Sequence, residues 1–280
     1  MKAKKLSKIS EVKDGNLVYG VYYCFYKEEK KTRYGDPFLN LSLSDSTGNI
    51  NGKLWENSSH YDLKFNEGDI VAIKAKADIY RTQLVLNILH INKFNNTQYE
   101  AYGFNPEALI SRIDIDTKEL WKNIGKYFSK SGVYKSMIKE IYKAYKTELL
   151  RSPYDMNLPF QKEGAYMCTI HKALKIADAL LLNDFNKDIK LDLIYALIFL
   201  KQFSLVTSYE KNIIYVLKEE ANKRGEGNMF YDIFKTYKKS ISSDDYFVLE
   251  KSLFDSKSED SFLEIDTVNK VFELINSVKD

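Results

Sequence analysis

Two groups of residues in this sequence have types and spacing that suit chemistry. The first is aromatic and cationic. Tyr34, Phe38, Trp55 and Tyr80 are interleaved with Lys31, Arg33, Lys53, Lys74 and Arg81, and with the amides Asn40, Asn51 and Gln83. Rings stack on nucleobases and lysine or arginine neutralises phosphate, so this mixture fits single-stranded DNA or RNA. The second group is small: His60, His90 and His171 are the only three histidines. Metal-assisted phosphodiester hydrolysis needs several His and Asp ligands around a divalent ion. Here only His171 lies in the second half of the chain, on a stretch rich in Ala, Leu and Ile. The carboxylates Asp178, Asp184, Asp188 and Asp192 that follow it have no spacing that selects a carboxylate-only Mg²⁺ site. No phosphate-cradling glycine loop, paired-cysteine zinc motif or G-x-S-x-G elbow is present.

The first group lies in a region of strand-like period. Short alternating runs at 17–26, 38–44, 49–55, 70–76 and 83–91 are separated by turn chemistry, including Gly35-Asp36-Pro37 and Asp45-Ser46-Thr47-Gly48. The only helix-sized gap, 56–67, falls between the third and fourth runs. Five strands in that order predict an OB barrel. Residues 27–36 and 77–82 read as polar loops. With Leu39, Leu41 and Leu43 turned into the core, Phe38, Asn40 and Ser42 must face outward; with Ile50 and Leu54 inside, so must Asn51, Lys53 and Trp55. OB barrels bind oligonucleotides on this face, flanked by the loops after strand 1 and before strand 5. Those loops carry Lys30, Lys31, Arg33 and Tyr34, and Tyr80, Arg81 and Gln83. The competing reading has Trp55, at the end of its strand, folding under the helical domain and Phe38, after a proline, only closing the barrel.

From Pro106 onward the period is helical. Candidate helices are 106–111, 117–130, 133–149, 164–183, 187–204, 208–224, 228–239, 243–254 and 259–278, with breaks at Ser131-Gly132, Ser152-Pro153, Pro159 and Gly225 to Gly227. The expected organisation is a barrel over 1–96, a linker and first helix over 97–115, and an all-α domain over 116–280.

Charge and composition set the remaining bounds. Residues 1–98 hold fifteen Lys and Arg against eleven Asp and Glu, and the rest holds 27 against 28, so the basic surplus lies with the barrel. No run of 18 uninterrupted apolar residues occurs, and a membrane partner is not expected. The basic start leads into no apolar segment, as a secretory leader would require. Cys24 and Cys168, one in each half, suit a reducing cytoplasm rather than a disulfide framework.

Residues 11–94 resemble the OB domain of YhaM-type 3′–5′ exoribonucleases, through KDGNLVYGVYYC, GDPFLNLSLSDSTGNINGKLW and FNEGDIVAIKAKADIYRTQLVL. DSTGNINGKLW and the later EGD and Y-R-x-Q-L are the most specific pieces. The resemblance implies an HD-type metal-dependent phosphohydrolase domain in the second half. GAYMCTIHKALKIADALL then corresponds to the helix that carries the family's histidine, at His171. DLIYALIFLKQFSLV corresponds to the helix ending in His-Asp, which falls on Lys201-Gln202, with the following Gly-Lys on Ser204-Leu205. A cationic Lys201 repels a metal and Gln202 is a poor ligand. The expectation is therefore a single-stranded nucleic-acid binder with a catalytically inactive HD-like domain for self-association or a protein partner, and no cofactor. The alternative is a 3′–5′ exonuclease with an atypical Mn²⁺ or Mg²⁺ site.

Overall fold

The computed structural model describes residues 6–95, 104–129, 132–157, 161–183, 189–254 and 262–277. The chain divides into two compact units, one reaching Ser111 and taking in Asn157 and Gln161, the other running from Arg112 to Met156 and from Lys162 onward.

The first unit is a closed five-stranded barrel. Its strands are β1 (Leu17–Lys31), β2 (Pro37–Asp45), β3 (Gly48–Leu54), β4 (Ile70–Tyr80) and β5 (Gln83–Lys93), with helix α1 (Ser58–Asp62) between β3 and β4. They close in the order β1-β2-β3-β5-β4, and the only parallel pair is β3 with β5. That order, with the helix after β3, is the OB fold. Strict alternation in β2 puts Leu39, Leu41 and Leu43 wholly inside, joined by Ile50, Leu54, Leu86 and Ile88. Tyr22 is also buried there, its hydroxyl donating to the Ser7 carbonyl at 2.8 Å. Its ring covers Gly20 so closely that a Cβ at that position would sit 2.2 Å from it.

Two expected loops are strand instead. β1 continues through Lys31 because residues 27–31 pair with Leu41 back to Pro37, and backbone pairing outweighs the polar composition. β4 likewise extends to Tyr80, which pairs with Gln83 across the two-residue turn Arg81-Thr82. Both turn residues have positive φ, 49° and 71°, as a tight hairpin of this twist demands, although neither is glycine. The chain after β5 remains with the barrel: the Phe94 and Phe104 rings lie 4.6 Å apart and the Ala108 carbonyl accepts from the Ser46 amide. The expected helix over 106–111 is a single 3-10 turn, Pro106–Ala108, and residues 96–103 of the expected linker lie outside the described residues.

The second unit contains ten α-helices among its described residues: α2 (Thr117–Tyr127), α3 (Gly132–Ala144), α4 (Lys146–Arg151), α5 (Ala165–Asn183), α6 (Leu191–Leu200), α7 (Ser204–Ser208), α8 (Glu219–Arg224), α9 (Glu226–Phe234), α10 (Ser243–Phe254) and α11 (Leu263–Ser277). α2 starts where Asp116 accepts from the amides of Lys118 and Glu119, a side-chain N-cap. The expected single helix 133–149 breaks at Tyr145 into α3 and α4. α6 is the core, with every residue from Leu193 to Leu200 buried. The window Leu191–Ser208 is apolar enough by composition to cross a membrane, yet 67% of it is buried inside this unit.

The second unit is helical as expected, but one expected helix needs correction: 208–224 is a β-hairpin, β6 (Tyr209–Lys211) with β7 (Tyr215–Leu217), followed by the short α8. Ile213, Ile214 and Val216 favour extended backbone, and Asn212 supplies the turn. The buried Glu163 anchors this hairpin, accepting from Lys211 Nζ at 2.5 Å and from the Tyr215 hydroxyl at 3.1 Å, with Arg151 at 3.2 Å. The expected break at Pro159 and the carboxylates Asp184 and Asp188 lie outside the described residues.

Candidate nucleic-acid interface

Antiparallel pairing of β2 with β3 sets Asn40 opposite Lys53 and Ser42 opposite Asn51, all on the outward side. Ser42 donates to the Asn51 side chain at 3.0 Å across the pair. Just beyond β3, Trp55 folds back onto Phe38 with ring centroids 4.5 Å apart and planes 30° from parallel. Phe38 is half-buried beneath it, while Trp55 is 45% exposed. Trp55 thus offers ring surface to a ligand, and Phe38 backs it.

The Lys53 ammonium joins the rings. Its Nζ lies 5.3 Å from the Trp55 centroid and 4.5 Å from that of Tyr80. Arg81 lies over the same Tyr80 ring at 5.4 Å. These cation–π contacts are each worth about 0.5–1 kcal/mol at an exposed site, enough to bias side-chain positions and weak enough to yield to a phosphate. Arg33 covers Tyr34 in the same manner at 4.7 Å, and Tyr34 is 76% exposed.

One participant was not anticipated. Asn87 on β5 accepts from Trp55 Nε1 at 3.2 Å and donates to Asp78 at 3.3 Å, fixing the indole's orientation. The parallel pairing of Lys53 with Asn87 brings it there, and no local pattern announces a pairing between strands so far apart in sequence. Of the remaining candidates, Lys31 and Gln83 are exposed at strand ends, paired with Pro37 and Tyr80. Lys74 lies elsewhere: its register partners are Tyr19 and His90, well along β4 from Tyr80. His90 is held between the Tyr61 hydroxyl and the Asn92 amide.

In the helical unit, His171 is not brought to Lys201 or Gln202. It lines an open hollow of about 900 Å³ with Asn123, Lys126, Tyr127, Lys175, Asp178 and Tyr195 among its walls. Partial burial, and after it the neighbouring Lys175 and Lys126, hold the His171 imidazole below its ordinary pKa. Asp178 is engaged by the Tyr195 hydroxyl at 2.6 Å. Lys201 caps the far end of α6, its amine donating to Asn269 at 3.1 Å and its pKa lowered by burial. Gln202 follows with φ of 56°, and the Tyr166 hydroxyl donates to the carbonyls of Phe199 and Lys201. Among the described residues no three His, Cys, Asp or Glu side chains converge. At the positions matched to the family's His-Asp, the cationic Lys201 and the neutral amide of Gln202 do not fit the Mn²⁺ or Mg²⁺ site that the resemblance implies.

No protein-family model matches the sequence and no curated protein aligns with it. Solved structures similar to part of the chain include the second OB-fold domain of replication protein A from Methanococcus maripaludis, at 23% identity and TM-score 0.27, over 32% of this chain and 95% of that one. Another is a mitochondrial single-stranded DNA-binding protein of S. cerevisiae, Rim1, at 17% identity and TM-score 0.26, over 30% and 98% of the two chains. A third is a murine DNA-binding protein bound with double-stranded DNA, at 18% identity and TM-score 0.28, over 33% and 50%. Strand order and barrel closure, rather than these likenesses, identify the OB fold.

Proposed function

We propose that the barrel binds single-stranded DNA or RNA across the outward side of β2 and β3. The observation that carries this reading is Lys53, whose ammonium sits over the rings of both Trp55 and Tyr80 while those rings remain about half exposed. A base stacking on an aromatic side chain gains about 1–3 kcal/mol, and the cations beside it compensate the backbone charge. Unstacked bases are accessible only in a single strand, which is the reason for preferring it over a duplex.

The test is fluorescence anisotropy with short labelled oligonucleotides. Binding is expected to persist in EDTA, to weaken with salt, and to fall about tenfold or more in Trp55→Ala. Trp55→Ala and Tyr80→Ala variants that bind as tightly as the parent protein would refute the proposed face. Tighter binding to duplex than to either single strand would refute the strand preference.

For the helical unit we propose an HD-like origin without hydrolysis, serving self-association or a protein partner. The absence of hydrolysis is supported by the placement of His171 beside Lys126 and Lys175 rather than beside Lys201. A labelled oligonucleotide incubated with Mn²⁺ or Mg²⁺ should keep its length. Stepwise shortening that EDTA stops and that survives repurification would restore the exonuclease reading.

A further inference from the structure

Beside Trp55 lies an open hollow of about 600 Å³, lined by Thr32, Asp36 and Pro37 from the β1–β2 turn and by Asn57, Ser59 and His60 from the start of α1. Its chemistry differs from that of the adjoining ring face. Lys53 and Arg81 lie by Tyr80, but the hollow contains no lysine or arginine, and its one carboxylate is Asp36. Two of its hydroxyls are already engaged: Ser58 donates to the Pro37 carbonyl, and Thr32 accepts from the amides of Tyr34 and Asp36. The side chains of Asp36, Asn57 and Ser59 make no hydrogen bond or ion pair among the described residues and are available to a ligand.

A phosphate would be repelled here by Asp36. A flat, neutral heterocycle would not, with the Trp55 indole as an apolar wall and hydrogen-bonding groups around its edge. A carboxylate accepts from an exocyclic base amine such as cytosine N4, whereas thymine and uracil carry no exocyclic amine, and their one ring donor on that edge, N3–H, lies between two carbonyl oxygens that a carboxylate opposes. We infer that this hollow seats one nucleobase of the bound strand and, through Asp36, favours amino-bearing bases over thymine or uracil. The inference rests on the nucleic-acid reading of the barrel and adds to it a base preference that the aromatic platform alone would not produce, since every base has a π-face.

The experiment compares oligo-dC and oligo-dT of equal length on the full chain, with the parent protein, Asp36→Asn and Asp36→Ala. The parent should prefer dC roughly tenfold, the scale on which one good side-chain pair discriminates bases. Both variants should bring the ratio near one by weakening dC, with dT unchanged or slightly tighter after loss of the negative charge. Asp36 is exposed in a turn, and equal melting temperatures would show that the variants fold. A dC-to-dT ratio that is the same in parent and variants overturns the pocket while leaving the barrel a nucleic-acid binder. Failure to bind any oligonucleotide overturns both.

Discussion

Both units set lysines beside tyrosines, and they put them to opposite uses. On the barrel, Lys53 lies over ring faces that solvent reaches, and the tyrosine and tryptophan are about half exposed. In the helical unit three tyrosines are tied down by their hydroxyls. Tyr134 donates to Asp245 at 2.8 Å, Tyr195 to Asp178 at 2.6 Å and Tyr215 to Glu163 at 3.1 Å. Burial first, and then the facing carboxylate, drives all three hydroxyls well above the ordinary tyrosine pKa. Their lysines are satisfied as well, Lys190 on Asp245 and Lys211 on Glu163. Carboxylate partners turn these residue types into structural fasteners, and without one the Tyr80 ring beside Lys53 stays open to solvent. Abundant tyrosine in a sequence therefore says little until its partners are known.

The contrast can be broken from either side. The largest effect is expected at Glu163, where substitution to Leu leaves Lys211 and Arg151 without their shared carboxylate. Removing one partner of a buried ion pair costs about 3–5 kcal/mol, and the partial exposure of Arg151 places this site near the lower end. Trp121 fluorescence in a Trp55→Phe background should report early melting of the helical unit. Oligonucleotide binding by Glu163→Leu, below that transition, should match the parent. Equal losses in both would mean that the two regions do not act separately.

Next in size is Trp55→Ala, expected to lose about 1–3 kcal/mol of oligonucleotide affinity with little change in melting temperature. A comparable loss of stability would show that the indole is a fastener after all. Lys53→Met should flatten the plot of log affinity against log salt by about 0.7, the contribution of one phosphate contact on a single strand. An unchanged slope would mean that Lys53 stays on its rings when the ligand binds.

A pH profile separates the carboxylates of the fasteners from the exposed rings. Burial opposes ionisation of Glu163, but the Lys211 hydrogen bond and the charges of Lys211 and Arg151 outweigh it and hold the carboxyl below its ordinary value. A depressed folded-state pKa contributes stability that is present above the unfolded value and lost as pH falls through the folded one. Melting of the helical unit should therefore decline below about pH 4.5, and decline less steeply in Glu163→Gln. The smallest effect concerns the hairpin that presents Tyr80. Thr82 holds a φ of 71°, a left-handed conformation costing roughly 1–2 kcal/mol, so Thr82→Gly should stabilise the barrel by about 1 kcal/mol without altering affinity.

The barrel's inward residues were legible because period-2 alternation in β2 and β3 admits only one way of burying three leucines. That same alternation placed Asn40, Asn51, Lys53 and Trp55 on one side. Strand ends were less legible. Lys27 to Lys31 looks like a loop until β2 pairs with it, and Tyr80 looks like a linker residue until Gln83 lies opposite. The hairpin at Tyr209 was misread as helix because its apolar residues also fit a helical period, and the buried Glu163 that holds it is distant in sequence. The resemblance to HD-type phosphohydrolases matches His171 and Lys201 to one site; the packing of α5 against α6 sets Tyr166 beside Lys201 and leaves His171 near Tyr195.

Local patterning by itself determined the two-part organisation, the five strands and the composition of the outward face, because side-chain period and turn chemistry act between near neighbours. Tertiary structure alone decided which rings stay open to solvent and which are fasteners. The parallel β3–β5 pairing that delivers Asn87 to Trp55, the hollow where Asp36 meets α1, and the carboxylates that capture Tyr134, Tyr195 and Tyr215 all join residues far apart along the chain. Such contacts follow from how a barrel closes and how helices pack, and no short window of sequence contains them.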